Sequence, residues 1–398
     1  MPLWTGKRPH RLIRVFLAGA ILFIAARFYP PTRHPVDSAL LLQAVFVGEK
    51  GGWLGRWAPP PRLVEKAGGG APADLYLPAG DSNEVRGCVL LAHGMTDMGR
   101  RDPRLAAFAR NLARLGFAAA VPELPGMRRF RPSPGDVDRI SESFLWMDGK
   151  FSRAGLPCGL FAFSFAAGPA LKAAARPRPK DRTGYFIGLG AYFDLKTVLK
   201  HLTTGGRGGE LAFPGGPPVR VGKWLFLRYN LSNLGFGPHA AAIESIVRLK
   251  LADERADISR YKNRLPVELR NILALIENRD PARFDEIFGL QSSGLRNLIA
   301  DWSMGRVIAK TRMPLFLLHG RSDPFVPFRE SERLAAAARR RGTGSTRLFI
   351  ARLLGHVDPG SEGDAGSEDG GWSRFIEALR LAGFVSRMIT AMEGDYAG

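Results

Sequence analysis

Cys158-Gly-Leu-Phe-Ala-Phe-Ser164-Phe-Ala-Ala-Gly-Pro169 is the stretch on which the reading of the fold turns. Cys158 to Phe163 is a short apolar run of the kind found in a strand covered on both faces. The small residues behind Ser164 open a helix, so the serine falls on the turn between the two. A serine held there has its hydroxyl clear of the sheet, and the helix N-terminus beside it offers backbone N–H groups to a developing negative charge. Strand and helix run close together two residues to either side, which demands small side chains. Alanines stand there, at 162 and 166. An ordinary helix N-cap is the other use of a serine at such a point.

Upstream, Val89-Leu-Leu-Ala-His93-Gly94-Met95 is a second buried strand, ending in His-Gly. Its loop can turn the Met95 N–H toward the point faced by the Phe165 N–H, and two donors converging on one oxygen make an oxyanion hole. His93 reads as a brace for that loop rather than as a base. Downstream, Pro314-Leu-Phe-Leu-Leu-His319-Gly320-Arg-Ser-Asp323-Pro-Phe-Val326-Pro327 is another apolar strand ending in His-Gly, with Asp323 four residues beyond His319. After one further strand, Leu354-Gly355-His356-Val357-Asp358-Pro359 sets His356 on a loop. From there it can reach a hydroxyl on one side and a carboxylate on the other.

The pattern between these motifs is that of a mostly parallel, eight-stranded α/β sheet flanked by helices. Strands are expected at 62–66, 73–77, 87–92, 118–122, 158–163, 184–189, 315–318 and 347–351. Helices are expected at 103–115, 136–151, 165–175, 331–341 and 372–392. Over a hundred residues separate strands six and seven, with helical patterns at 239–258, 267–276, 284–288 and 293–309. An insert of that size on the carboxyl side of a parallel sheet lies where ligands bind, and it reads as a cap. The expected division is therefore a core at 62–195 and 306–398, split by a helical cap at 196–305. Before the core, 30–35 reads as a linker, followed by a helix over 37–47 capped by Asp37 or Ser38. A loop at 51–61 then carries Trp53 and Trp57, which completes a 31–61 connecting segment.

With Ser164, Asp323 and His356 in that order, the sequence resembles the α/β-hydrolase family over roughly residues 62 to 398, apart from the cap. The resemblance implies that Ser164 is the nucleophile, His356 the general base and then acid, and Asp323 the residue that orients the imidazolium. It implies that the Met95 and Phe165 N–H groups form the oxyanion hole. Glu123-Leu-Pro-Gly126 resembles the family's segment after the next strand, and Asp194, after the sixth, is a fallback acid. A serine rather than a carboxylate at the elbow argues against haloalkane dehalogenases and epoxide hydrolases and leaves acyl chemistry. The expected activity is hydrolysis of a carboxylic ester, small-molecule or lipid-like. An aminopeptidase, thioesterase or acyltransferase is the alternative within the same chemistry, and a non-catalytic scaffold the alternative outside it. No cofactor or metal is expected, because such a triad supplies nucleophile, proton shuttle and charge stabilisation itself.

Composition is globular, with 45% hydrophobic and 24% charged residues. Two cysteines, Cys88 and Cys158, are too few for a disulfide framework and read as buried free thiols. A net charge of +20 is spread along the chain without a zinc pattern or recognition helix, so nucleic acid is not an expected partner. At the N-terminus Lys7, Arg8, Arg11 and Arg14 precede an uncharged apolar run, Val15 to Ala26. Positive flank and short hydrophobic core match a secretory signal or a signal anchor at 1–30. Cleavage after Ala26 would put Ile24 at −3, a poor fit that favours an anchor. A buried core helix or interfacial segment is the other reading of so short a run. With an anchor, the rest of the chain lies outside the cytoplasm, membrane-attached, or is secreted.

Overall fold

The computed structural model describes residues 29–48, 52–67, 72–80, 85–152, 156–204, 223–224, 227–228, 237–354 and 371–394. Eight strands, β1 (Arg62–Ala67), β2 (Ala73–Leu77), β3 (Cys88–Ala92), β4 (Ala118–Pro122), β5 (Cys158–Phe163), β6 (Thr183–Leu189), β7 (Leu315–Gly320) and β8 (Thr346–Ala351), form one sheet. Their order is β1-β2-β4-β3-β5-β6-β7-β8. β2 runs antiparallel to both its neighbours, and every other pair is parallel.

Successive side chains point to opposite faces of a strand, so each buried strand feeds two cores. Leu90 and Ala92 join the core under helices α3 (Pro134–Phe151) and α4 (Ala167–Ala174). Val89 and Leu91 join the core under α1 (Pro30–Val47), α2 (Pro103–Arg114) and the C-terminal helix, whose residues 371–393 are reached last in the chain. Between β6 and β7 lie α5 (Leu195–Thr204), α6 (Ala240–Ala252), α7 (Val267–Glu277), α8 (Phe284–Gly289) and α9 (Ser293–Asp301). They build apolar clusters of their own, one around Trp224, Ile243, Ile246 and Leu269, the other around Phe284, Phe288 and Ile299. Helices α10 (Phe328–Arg339) and α11 (Gly371–Glu393) complete the layers.

Several elements differ from the sequence expectation. The stretch 30–35 is the start of α1 and not a linker: a proline in the first helical turn has no intrahelical N–H to lose. Neither Asp37 nor Ser38 is a cap. Asp37 is buried in an ion pair with Arg86 at 2.7 Å, and the Ser38 hydroxyl reaches the carbonyls of Pro35 and Ala382. Arg86 also pairs with Glu393, tying α1 and α11 to the start of β3. The loop at 51–61 contains a helical turn, Trp53–Trp57, that buries Leu54 and leaves its two stacked tryptophans exposed. The helix expected over 239–258 ends at Ala252, where the Asp253 carboxylate takes the Arg255 N–H and turns the chain. The helix expected over 293–309 breaks after Asp301, because the Met304 N–H pairs with the Phe193 carbonyl at 2.7 Å. Cys88 and Cys158 are register partners on β3 and β5, 4.5 Å apart at Cα, and form a disulfide instead of two free thiols. Register, which no count of cysteines reveals, put them side by side.

Candidate active site

Phe163 ends β5 in extended conformation, and Ser164 follows at φ +53. Among the described residues only Phe130 shares a positive φ without being glycine. Ser164 opens a 3-10 turn, Ser164–Ala166, that runs straight into α4. A helix N-cap has β-region dihedrals and a side chain that accepts an N–H of the next turn. Ser164 has neither: the cap position of this turn is Phe163, without a side-chain bond. The alanines at 162 and 166 are accommodated. Both are fully buried, and Ala162 lies in register between Ala92 and Gly188, a lane of small residues beneath the elbow.

The loop after β3 lies against this turn. A Cβ on Gly94 would sit 3.2 Å from the Phe163 carbonyl oxygen and 3.6 Å from Ser164 Cβ, so Met95 is one residue from that contact. His93 braces the loop. Its Nε2 accepts the Leu124 N–H at 3.3 Å, which assigns the proton to Nδ1, and Nδ1 donates to the Gly94 carbonyl at 2.8 Å. Burial lowers its pKa, against the Gly94 carbonyl and Glu123, which act the other way. Arg100, paired with Asp74 and Glu123, fixes the β2 and β4 ends beside the same loop. The Phe165 ring packs on Tyr192 and Trp302.

Asp323 is 1% exposed, on the turn after β7. One carboxylate oxygen accepts the N–H groups of Phe325 (2.8 Å) and Val326 (2.9 Å); the other lies 3.3 Å from His319 Nε2. His319 also meets the Val326 carbonyl at 2.8 Å and, through Nδ1, Ser331 Oγ at 2.7 Å. His201 Nε2, from α5, donates to the Pro324 carbonyl at 3.1 Å. The Asp323 turn is thus held by its own strand, by α10 and by the insert. β6 lies between β5 and β7, which separates the Ser164 and Asp323 strands by about 9–10 Å.

His356 lies outside the described residues, as does Asp358. The described chain after β8 runs to Leu354, whose carbonyl accepts the Ser322 hydroxyl at 3.5 Å. That brings the segment leading to His356 onto the loop that carries Asp323. Asp194, the fallback acid, is the cap of α5. It accepts the Lys196 N–H at 2.9 Å, takes hydroxyls from Thr197 and Ser303 at 3.3 Å each, and pairs with Arg333. Glu330, fully buried, accepts the N–H groups of Phe193 and Asp194 just ahead of it, and burial raises its pKa. Sequence reasoning missed His201, Ser331 and Glu330. Nothing in a lone histidine on an amphipathic helix, or a glutamate in the first turn of another, distinguishes it from a surface residue.

Among the described residues no cluster of His, Cys, Asp or Glu could hold a metal ion, and no helix is long and apolar enough to cross a membrane. The apolar run at 15–26 lies outside them.

Eight strands in this order, one reversed second strand, helices on both faces and a serine on the turn after β5 define the α/β-hydrolase fold. No protein-family profile and no curated protein matches the chain. Among solved structures it is similar to a puromycin-hydrolyzing peptidase of Mycobacterium tuberculosis, at 16% identity over 83% of this chain and 38% of that one, TM-score 0.41. It is also similar to an esterase of Pyrococcus furiosus (11% identity, 82% and 90% covered, TM-score 0.42) and to a dienelactone hydrolase of Anabaena variabilis (15%, 83% and 97%, 0.38). The chain thus spans about two fifths of the peptidase and nine tenths or more of the other two.

Proposed function

We propose that the protein is a serine hydrolase that cleaves a carboxylic ester through an acyl-enzyme. The observation that carries this reading is the backbone of Ser164. A non-glycine residue in the left-handed region costs on the order of 1–2 kcal/mol, and a serine serving only as a cap has no need of it. In this reading the Ser164 hydroxyl attacks the acyl carbon and gives its proton to His356. Asp323, itself held by two backbone N–H groups, orients the ring and stabilises its cationic form. The negative charge on the tetrahedral oxygen falls to the Met95 and Phe165 N–H groups. His356 then protonates the leaving alkoxide, and water, deprotonated by the same ring, releases the acid.

Membrane attachment, with the catalytic domain outside the cytoplasm, is part of the same reading. Its support is the basic, then apolar N-terminal sequence and the Cys88–Cys158 disulfide, a bond that persists in oxidising compartments. The experiment is hydrolysis by the full-length protein of p-nitrophenyl esters of increasing acyl length, beside aminoacyl p-nitroanilides and acyl thioesters. Ester turnover that falls at least about 10³-fold in Ser164→Ala is expected. Faster cleavage of the anilide or the thioester would move the assignment to a peptidase or thioesterase. Turnover equal in wild type and variant would remove it.

A further inference from the structure

We propose that the insert between β6 and β7 holds a second binding site, for a doubly charged oxyanion such as a phosphate group. A cavity of about 270 Å³ opens between Trp224 and the facing ends of α6 and α7. Its walls hold too much positive charge for themselves. Glu254 is shared by Lys223 (3.3 Å) and Arg279 (3.1 Å), and Glu277 by Lys250 (2.9 Å) and Lys262. In the lining itself two carboxylates, Glu254 and Glu277, therefore face four cations, Lys223, Lys250, Arg255 and Arg279, and Asp257 also acts on Lys250 and Lys262 from outside it. Two of these cations are withdrawn from water, the Lys223 and Lys250 side chains being only 4% and 7% exposed, while Arg279 at 49% meets solvent at the mouth. Removing ammonium groups from water is costly unless anions meet them in full.

A second observation points the same way. Trp224 is 1% exposed, lines the cavity, and its indole N–H has no hydrogen-bond partner among the described residues. A buried donor without an acceptor costs about 1–3 kcal/mol, and a tetrahedral oxyanion supplies acceptors in several directions. Burial also lowers the pKa of Lys223, against the pull of Glu254, so an anion entering the cavity restores its proton affinity. The lining's excess of two positive charges favours a dianion over chloride or a single carboxylate. The site is built from the insert alone and is separate from Ser164.

The test is titration calorimetry of the full chain with inorganic phosphate, malonate and sodium chloride at equal ionic strength. One saturable phosphate site is expected, present also in Ser164→Ala. Affinity should fall at least tenfold in Lys223→Met and severalfold in Trp224→Phe, which keeps an aromatic ring but removes the indole N–H together with the five-membered ring that carries it. Arg279→Gln, at an exposed position, guards against a fold lost in Lys223→Met and should also weaken binding several-fold. Tighter malonate than phosphate would keep the site and change the ligand to a dicarboxylate. Non-saturating heats shared by chloride, or phosphate binding unaltered in both Trp224→Phe and Arg279→Gln, would overturn the proposal.

Discussion

At the scale of single residues, the backbone at Ser164 makes a demand that can be measured apart from catalysis. Alanine at φ +53 is strained and glycine is not. Ser164→Gly should therefore resist urea better than Ser164→Ala by about 1 kcal/mol, although both lack the serine hydroxyl. Equal midpoints would mean that the turn relaxes. His201 gives a second residue-level test. Burial holds its ring below the usual histidine pKa of about 6.5. The unfolded chain then binds a proton that the folded one does not, so stability is full above that value and declines as pH falls below it. His201→Gln should flatten the stability profile between about pH 7 and 5. Glu330, with its raised pKa, acts in the opposite sense, so the difference between the two profiles is the quantity to compare. Parallel profiles would mean that the ring protonates freely in the folded state.

At the scale of elements, the helix behind the elbow is fitted to one side chain. A Cβ on Gly168 would meet the hydroxyl of Tyr192 at 2.1 Å and its ring carbon Cζ at 3.0 Å. That hydroxyl is buried without a partner among the described residues. Gly168→Ala should cost about 1–3 kcal/mol by overpacking, and Tyr192→Phe in the same chain should restore part of it. Additive losses in chemical denaturation would show that the two do not meet. The sheet was readable in the sequence because strands buried on both faces leave continuous apolar runs, such as Val89–Ala92 and Leu315–Leu318. The start of α1 and the breaks at Asp253 and Trp302 were not. They depend on a tolerated first-turn proline, an aspartate that closes a turn, and a backbone bond from Met304 to Phe193 across more than a hundred residues. The Cys88–Cys158 pairing likewise comes from register. Peptide mapping without reduction should recover the two cysteine peptides joined, and their recovery as separate thiol peptides would contradict it.

At the scale of the whole molecule, the candidate site draws on most of the sheet. β3 brings the Gly94 loop, β5 Ser164, β7 Asp323, and β8 the segment that runs to Leu354. Each of these was legible as a motif at a strand's end. What holds the Asp323 turn was not, because His201 reaches it from a helix over a hundred residues away, and Ser331 and Glu330, on the helix that follows, act through His319 and the backbone of Phe193 and Asp194. The surface adds a property of its own. Trp372, Phe375 and Leu379, spaced three and four residues apart on α11, are exposed on a chain of net charge +20. An apolar stripe on a basic molecule favours anionic lipid. The protein should co-sediment with vesicles containing phosphatidylserine more than with phosphatidylcholine alone, and less so after Trp372→Ser with Phe375→Ser. Equal recovery on both lipids would remove the electrostatic part.

The most direct test of the central claim is covalent labelling of the full-length protein with a fluorophosphonate, followed by peptide mapping. The account predicts one modified residue, Ser164, with labelling lost in His356→Ala and in Ser164→Ala. A folded protein that takes no label, or takes it at another serine, would contradict it.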